Sequence, residues 1–149
     1  MTKICFICHG SICRSPMARF IFQNEIDKLG LSSEFIIDAK AVSREEIGND
    51  MYPPAAACLK KHNIPFTKTA SRQITLSDYE YYDLLIIMDK SNEYYLKRIV
   101  GNDNKNKIKT LLSYANIERD ISDPWYTSDF EECYNDICIG IKGLLKTII

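Results

Sequence analysis

The sequence predicts an α/β fold. A four-stranded parallel sheet carries helices on both faces, and a phosphate-binding loop follows the first strand. Two observations carry this reading. Strand-like apolar runs alternate with helix-like segments along the chain, the pattern of a parallel sheet covered on both sides. A glycine-containing turn also joins the first such run directly to the first helix, where an anion is held in folds of this kind.

The elements follow in order. Ile4 to Ile7 is a short run of strand formers bounded by Gly10. Ser15-Pro16 reads as a helix start, with Ser15 as the N-cap and Pro16 at the first helical position. Ala18, Phe22, Ile26 and Leu29 recur at helical spacing, and Gly30 ends the segment. Residues 35–42 read as a second strand, and Pro53-Pro54 opens a short helix to Lys61. Residues 83–88 are the clearest buried strand, 91–100 a helix and 108–112 a fourth strand. Ser128-Asp-Phe-Glu131 fits a capping box opening a last helix to about Lys146.

Whole-chain properties narrow the function. The 149 residues suit one domain spanning 1–149, with no linker, repeat or low-complexity tract. A net charge of −1 gives no basic excess for nucleic acid and no lopsided field for a membrane surface. No apolar stretch approaches the length of a membrane span, and the N-terminal run is too short for a signal-peptide core. A cytoplasmic protein is expected, with its six cysteines as thiols.

The chemistry is concentrated in Cys8-His9-Gly10-Ser11-Ile12-Cys13-Arg14-Ser15-Pro16. A bare Cys-x5-Arg pair is weak, and Cys13 with Arg19 makes a second one. That second pair spans the predicted helix start and contains no glycine. The first has the required context: a strand delivers Cys8, Gly10 permits the turn, and the helix N-terminus supplies free N–H groups. The N–H groups of His9, Gly10, Ser11, Ile12, Cys13 and Arg14 can ring a phosphoryl group, and the Arg14 fork matches two of its oxygens. The same positive surroundings favour a thiolate at Cys8, to which Ser15 can donate its hydroxyl. Taken singly, Cys8 also reads as a strand-end thiol, Arg14 as a surface ion pair and Ser15 as only a cap.

This loop at the very N-terminus, together with Asp123-Pro124-Trp125-Tyr126 far downstream, resembles the low-molecular-weight protein tyrosine phosphatase family. Ala41-Val42-Ser43, Ile47-Gly48, Arg72-Gln73-Ile74 and Met88-Asp89-Lys90-Ser91-Asn92 fit as intermediate landmarks, so the resemblance spans the chain. It implies hydrolysis of phosphotyrosine in a protein or peptide through a phosphocysteine on Cys8. In that scheme Arg14 and the loop bind phosphate, Asp123 is the general acid, and Ser15 and Ser43 support the loop. No metal or other cofactor is implied. By residue type alone, Asp123 reads more readily as a turn residue ahead of a capped helix. His9, Glu45, Trp125 and Tyr126 are expected around the substrate, although the aromatics also suit ordinary rim packing. A monomer is expected, with a weak dimer left open.

Three positions depart from the family pattern. Ser11 stands where asparagine is common and Thr69 where histidine is frequent; the expectation is that the two share a hydrogen-bond network supporting the loop. Glu45 replaces a rim tryptophan of some relatives and, with Glu46, makes the rim acidic, which disfavours acidic residues around the phosphotyrosine. Cys13 matches a second loop cysteine of many relatives and is expected to form a protective disulfide with Cys8.

Other readings fit less well. Cys5-x-x-Cys8 suggests thioredoxin-like or zinc chemistry, but Cys5 lies within the strand, and Cys58, Cys133 and Cys138 are scattered, without a second ligand pair at metal spacing. His62, at a helix end, needs no role. An arsenate reductase on the same fold would need relay cysteines in mid-chain, and none lies between Cys58 and Cys133. A non-catalytic phosphate-binding module would have no use for Cys8 and Asp123 together.

Overall fold

The computed structural model describes all residues from Met1 to Ile149. Four parallel strands form one sheet in the order β2-β1-β3-β4: β1 is Thr2–Cys8, β2 Phe35–Ala41, β3 Leu84–Ile87 and β4 Ile108–Thr110. In register, Cys8 pairs with Ala41 on one side, and Ile7 with Ile87 on the other. Cys8 therefore leaves the sheet at its C-terminal edge, where ligands bind in open parallel sheets.

Six α-helices accompany the strands: α1 Arg14–Lys28, α2 Pro53–Lys61, α3 Leu76–Tyr81, α4 Lys90–Val100, α5 Pro124–Thr127 and α6 Phe130–Ile148. Strand alternation sorts the core into two layers. Ile4, Phe6, Cys8 and Ile86 pack against α1 and α6 through Met17, Phe22, Ile137 and Ile141. Cys5, Ile7, Leu85 and Ile87 face the other way, against Tyr79 of α3 and Leu96 and Val100 of α4. The expected burial of Cys5 on the face opposite Phe6 is thus found. No helix is long and apolar enough to cross a membrane.

The structure shifts several boundaries. Helix α1 starts at Arg14, one residue ahead of the proposed cap, and Ser15 caps nothing because its hydroxyl faces Cys8 and Ser11. The fourth strand stops at Thr110, and 111–115 wind into a 3₁₀ turn. Asp129 caps α6, accepting from Glu132 N at 2.9 Å. Ser128 is taken up instead in ending α5, with a left-handed φ of 62°. Helix α3 was not expected from the sequence. It is opened by a reciprocal Thr75–Asp78 capping box and fixed through Tyr79.

Candidate active site

The site is built at the turn from β1 into α1. Neighbouring segments hold the carbonyl groups of this turn. Val42 N donates to Cys8 O, Ser43 N to His9 O and Tyr52 N to Ile12 O, while Ser71 Oγ donates to Gly10 O at 2.7 Å. The six backbone N–H groups from His9 to Arg14 donate to no protein acceptor. A run of unpaired donors around one point is an anion nest. Ser11 adopts a left-handed φ of 54° to complete the curve, a conformation that costs most residues energy.

Cys8 sits at the base of this nest and is 3% exposed. Its Sγ lies 3.2 Å from Ser15 Oγ and receives Ser15 N at 3.4 Å. Ser15 Oγ in turn lies 2.8 Å from Ser11 Oγ. The hydroxyl and the N–H of one residue in the first helical turn thus both meet the sulfur, the N–H as a donor.

Arg14 is almost wholly buried, and its position is set by partners far away in sequence. Nη1 donates to Asp89 Oδ2 at 2.6 Å and to Ile121 O at 2.9 Å. Nη2 is 3.4 Å from Asp123 Oδ2. Burial opposes the guanidinium charge, yet Cys8, Asp89 and Asp123 outweigh it and raise the Arg14 pKa above its ordinary value. Nε is buried without a partner. The guanidinium therefore keeps free donor capacity along its Nε–Nη2 edge, the edge that binds an oxyanion in bidentate fashion. Asp89 is itself fixed as the N-cap of α4, accepting Asn92 N at 2.7 Å.

Asp123 caps α5, accepting Trp125 N at 3.0 Å through Oδ1, and leaves Oδ2 toward Arg14. Asp123, Trp125 and Tyr126 line the same cavity as Cys8, His9, Cys13 and Glu45. Trp125 is half exposed and packs on Tyr52, with ring centroids 4.8 Å apart; Tyr126 is 81% exposed. His9 Nε2 lies 3.1 Å from Glu45 Oε2, and Glu46 adds a second carboxylate to the cavity wall. The acidic rim expected from the sequence is present. Arg19, the partner in the rejected second motif, lies along α1 over the Phe20 ring.

Two expected supports take a different form. Ser43 holds the loop through its backbone N–H, its hydroxyl accepting Glu45 N instead. Ser11 and Thr69 share no hydrogen bond, which overturns the expected joint network. The short Ser11 side chain turns to Ser15, while Thr69 Oγ1 binds Asp50 and Met51. Ser71 braces the loop in their place. Sequence reasoning assigned no role to Asp89, Ser71 or the Ile121 carbonyl. Asp89 stood only within a landmark of the resemblance, and nothing there marked its carboxylate as the seat of Arg14.

Comparison with known proteins agrees with this geometry. The family described as low molecular weight phosphotyrosine protein phosphatase matches residues 3–149. The low molecular weight protein-tyrosine-phosphatase YfkJ of Bacillus subtilis is 35% identical, covering 99% of this chain and 96% of its own. Its crystal structure superposes with a TM-score of 0.95 over 99% of this chain and 94% of that one. The low molecular weight phosphotyrosine protein phosphatase of Homo sapiens is 38% identical over 97% of this chain and 94% of its own. With nest, buried thiol, arginine and aspartate arranged as described, the chain belongs to the low molecular weight phosphotyrosine protein phosphatase family.

Proposed function

We propose that the protein hydrolyses phosphotyrosine in proteins or peptides by way of a phosphocysteine on Cys8. The observation that carries this reading is one cavity lined by Cys8, its following loop and Asp123, beside which six loop N–H groups are unpaired and Arg14, held at Asp123, keeps Nε without a partner.

The phosphoryl oxygens occupy the nest and the Arg14 edge, which places phosphorus over Sγ. The Cys8 thiolate attacks in line, forming the S–P bond as the P–O bond to tyrosine breaks. Asp123 gives its proton to the departing phenolic oxygen. The loop N–H groups and Arg14 hold the charge that gathers on the equatorial oxygens. Asp123, now a carboxylate, takes a proton from water as that water attacks phosphorus, releasing phosphate and restoring the thiolate. Ser15 stabilises the thiolate as a leaving group in this second step. Positive charge comes from Arg14 and the backbone, so the scheme calls on no metal ion. Trp125 and Tyr126 offer flat walls to the phenyl ring. A cytoplasmic setting, which keeps thiols reduced, suits a catalytic cysteine.

The test is initial-rate hydrolysis of a phosphotyrosine peptide in reductant and EDTA, with Cys8→Ser alongside, followed by rapid acid quench with radiolabelled substrate. Turnover and a trapped, acid-stable phosphoprotein in the wild type, both absent from Cys8→Ser, are expected. An inactive wild type, or activity that survives Cys8→Ser, would overturn the reading.

A further inference from the structure

Helices α2 and α6 meet at a second group of reactive side chains, none of which lines the cavity. Cys58 and His62 lie four residues apart on α2 and share one face of it. Glu131 comes from the first turn of α6. Cys58 Sγ is 3.7 Å from Glu131 Oε1, and His62 Nε2 is 2.8 Å from Glu131 Oε2. All three ligand atoms lie within 4.8 Å of one another. The sequence kept them apart, because Cys58 has no cysteine or histidine partner at a familiar metal spacing and Glu131 is distant along the chain.

We propose that Cys58, His62 and Glu131 form a three-ligand site for a zinc-class divalent cation, with water completing a tetrahedron. Zinc bonds of about 2.3 Å to sulfur and 2.0–2.2 Å to nitrogen and oxygen separate tetrahedral ligands by roughly 3.4–3.7 Å. Cys58 Sγ already stands at this distance from Glu131 Oε1, while His62 Nε2 lies against the other oxygen, Oε2, so a shared ion needs the carboxylate to turn and His62 to draw back. One sulfur, one nitrogen and one oxygen donor suit zinc better than calcium or magnesium. The Tyr134 ring stacks on His62 at 3.8 Å with planes 11° apart, which fixes the imidazole plane. Lys61 Nζ, 3.3 Å from Glu131 Oε1, orients the carboxylate from outside. Cys58 is buried, while His62 and Glu131 are partly exposed, so an ion can enter from solvent.

Binding balances simply. The Cys58 thiol proton leaves to water as the S–metal bond forms. Burial and Glu131 push that thiol up to about 11, so without metal it stays protonated. His62 releases its hydrogen bond to Glu131, its Nε2 proton passing to water while Nδ1 keeps or takes up one from water, and Nε2 gives its lone pair to the metal. Nothing is oxidised or reduced. The ion would clip α2 to the start of α6, and α2 follows directly on Tyr52, which holds Ile12 O and packs against Trp125 and Phe130.

The test uses the Cys8→Ser protein, so that the cavity thiol contributes no metal signal, in a non-thiol reductant. Titration with Co²⁺ should give tetrahedral visible bands and a near-ultraviolet thiolate-to-cobalt band, saturating at one equivalent and displaced by Zn²⁺. Adding Cys58→Ser should abolish the thiolate band, and adding His62→Gln should weaken binding by about 100-fold or more. Zn²⁺ at a hundredfold excess over its dissociation constant should raise the thermal midpoint by on the order of 5 °C. No thiolate band in Cys8→Ser, or a band that survives Cys58→Ser, would overturn the proposal. Should Cys58→Ser fail to fold, His62→Gln decides alone: Co²⁺ affinity unchanged from Cys8→Ser overturns the site.

Discussion

Asp89 Oδ2 holds Arg14 Nη1 at 2.6 Å, so the cap of α4 is also the anchor of the buried arginine beside Cys8. The pair is largely buried, with side chains 2% and 16% exposed. Asp89→Ala takes the nearest carboxylate from a buried cation and frees the guanidinium to turn. Loss of one member of a buried pair costs roughly 3 kcal/mol, and a displaced binding group costs about 100-fold in rate. Both effects are expected, read by urea unfolding and by kcat/KM on a phosphotyrosine peptide. A variant with wild-type kinetics would show that Ile121 O and Asp123 alone position Arg14.

Removal of the proton donor should be visible in the dependence on leaving group. Asp123→Asn keeps the cap on Trp125 N but has no proton to give. A fall of about 10²–10⁴-fold is expected on phosphotyrosine. A much smaller fall is expected on an aryl phosphate whose phenol leaves without help. Equal losses on the two substrates would assign Asp123 to binding Arg14 and not to proton transfer.

The Glu45 and Glu46 rim should select against acidic neighbours of the phosphotyrosine. Exposed charges act weakly, so basic-flanked peptides are expected to exceed acidic-flanked ones by about three- to fivefold in kcat/KM at low salt. That advantage should shrink at high ionic strength and fall in Glu45→Gln. Equal rates on both peptides at low salt would remove the rim from specificity.

Cys13 is expected to answer oxidation of Cys8. Burial, with Cys8 and Asp123 nearby, pushes its thiol up to about 12, so it is a weak nucleophile at neutral pH. Peroxide converts the Cys8 thiolate to a sulfenic acid; Cys13 then forms the disulfide and water leaves. Its reactive thiolate fraction grows about tenfold per pH unit below 12, so disulfide closure should accelerate as pH rises from 6 to 8. Wild-type activity should return with thiol, while Cys13→Ser should progress to irreversible loss. Full recovery of Cys13→Ser after the same exposure would deny the role.

The sequence showed most clearly what is local. Cys8, Gly10, Arg14 and Ser15 sit together in one turn, and the strand before them and helix after them could be read directly. Asp123 was joined to them through the resemblance, since an aspartate before proline is by itself an ordinary helix cap. Asp89 and Ser71 escaped notice for a related reason. Each has a sufficient local explanation as a cap or loop residue, and its second contact is made only when the sheet closes. Ser11 and Thr69 show the converse error, a pairing drawn from the family where each side chain instead bonds other partners. Helix α3 was missed although Thr75 and Asp78 spell its cap, because six residues ending in a cluster of tyrosines carry too little periodicity to stand out.

The outward-tied carbonyls of the loop have a consequence for the resting protein as well as for turnover. Folding gathers six amide hydrogens around one point with no partner from the chain, a concentration of like dipoles that water relieves poorly and a tetrahedral oxyanion relieves well. Inorganic phosphate, the reaction's own product, is therefore expected to act as a folding ligand: at a hundred times its dissociation constant it should add about 2.7 kcal/mol to the native state. The thermal midpoint of the resting protein is therefore expected to rise with phosphate concentration, read by thermal unfolding with and without phosphate.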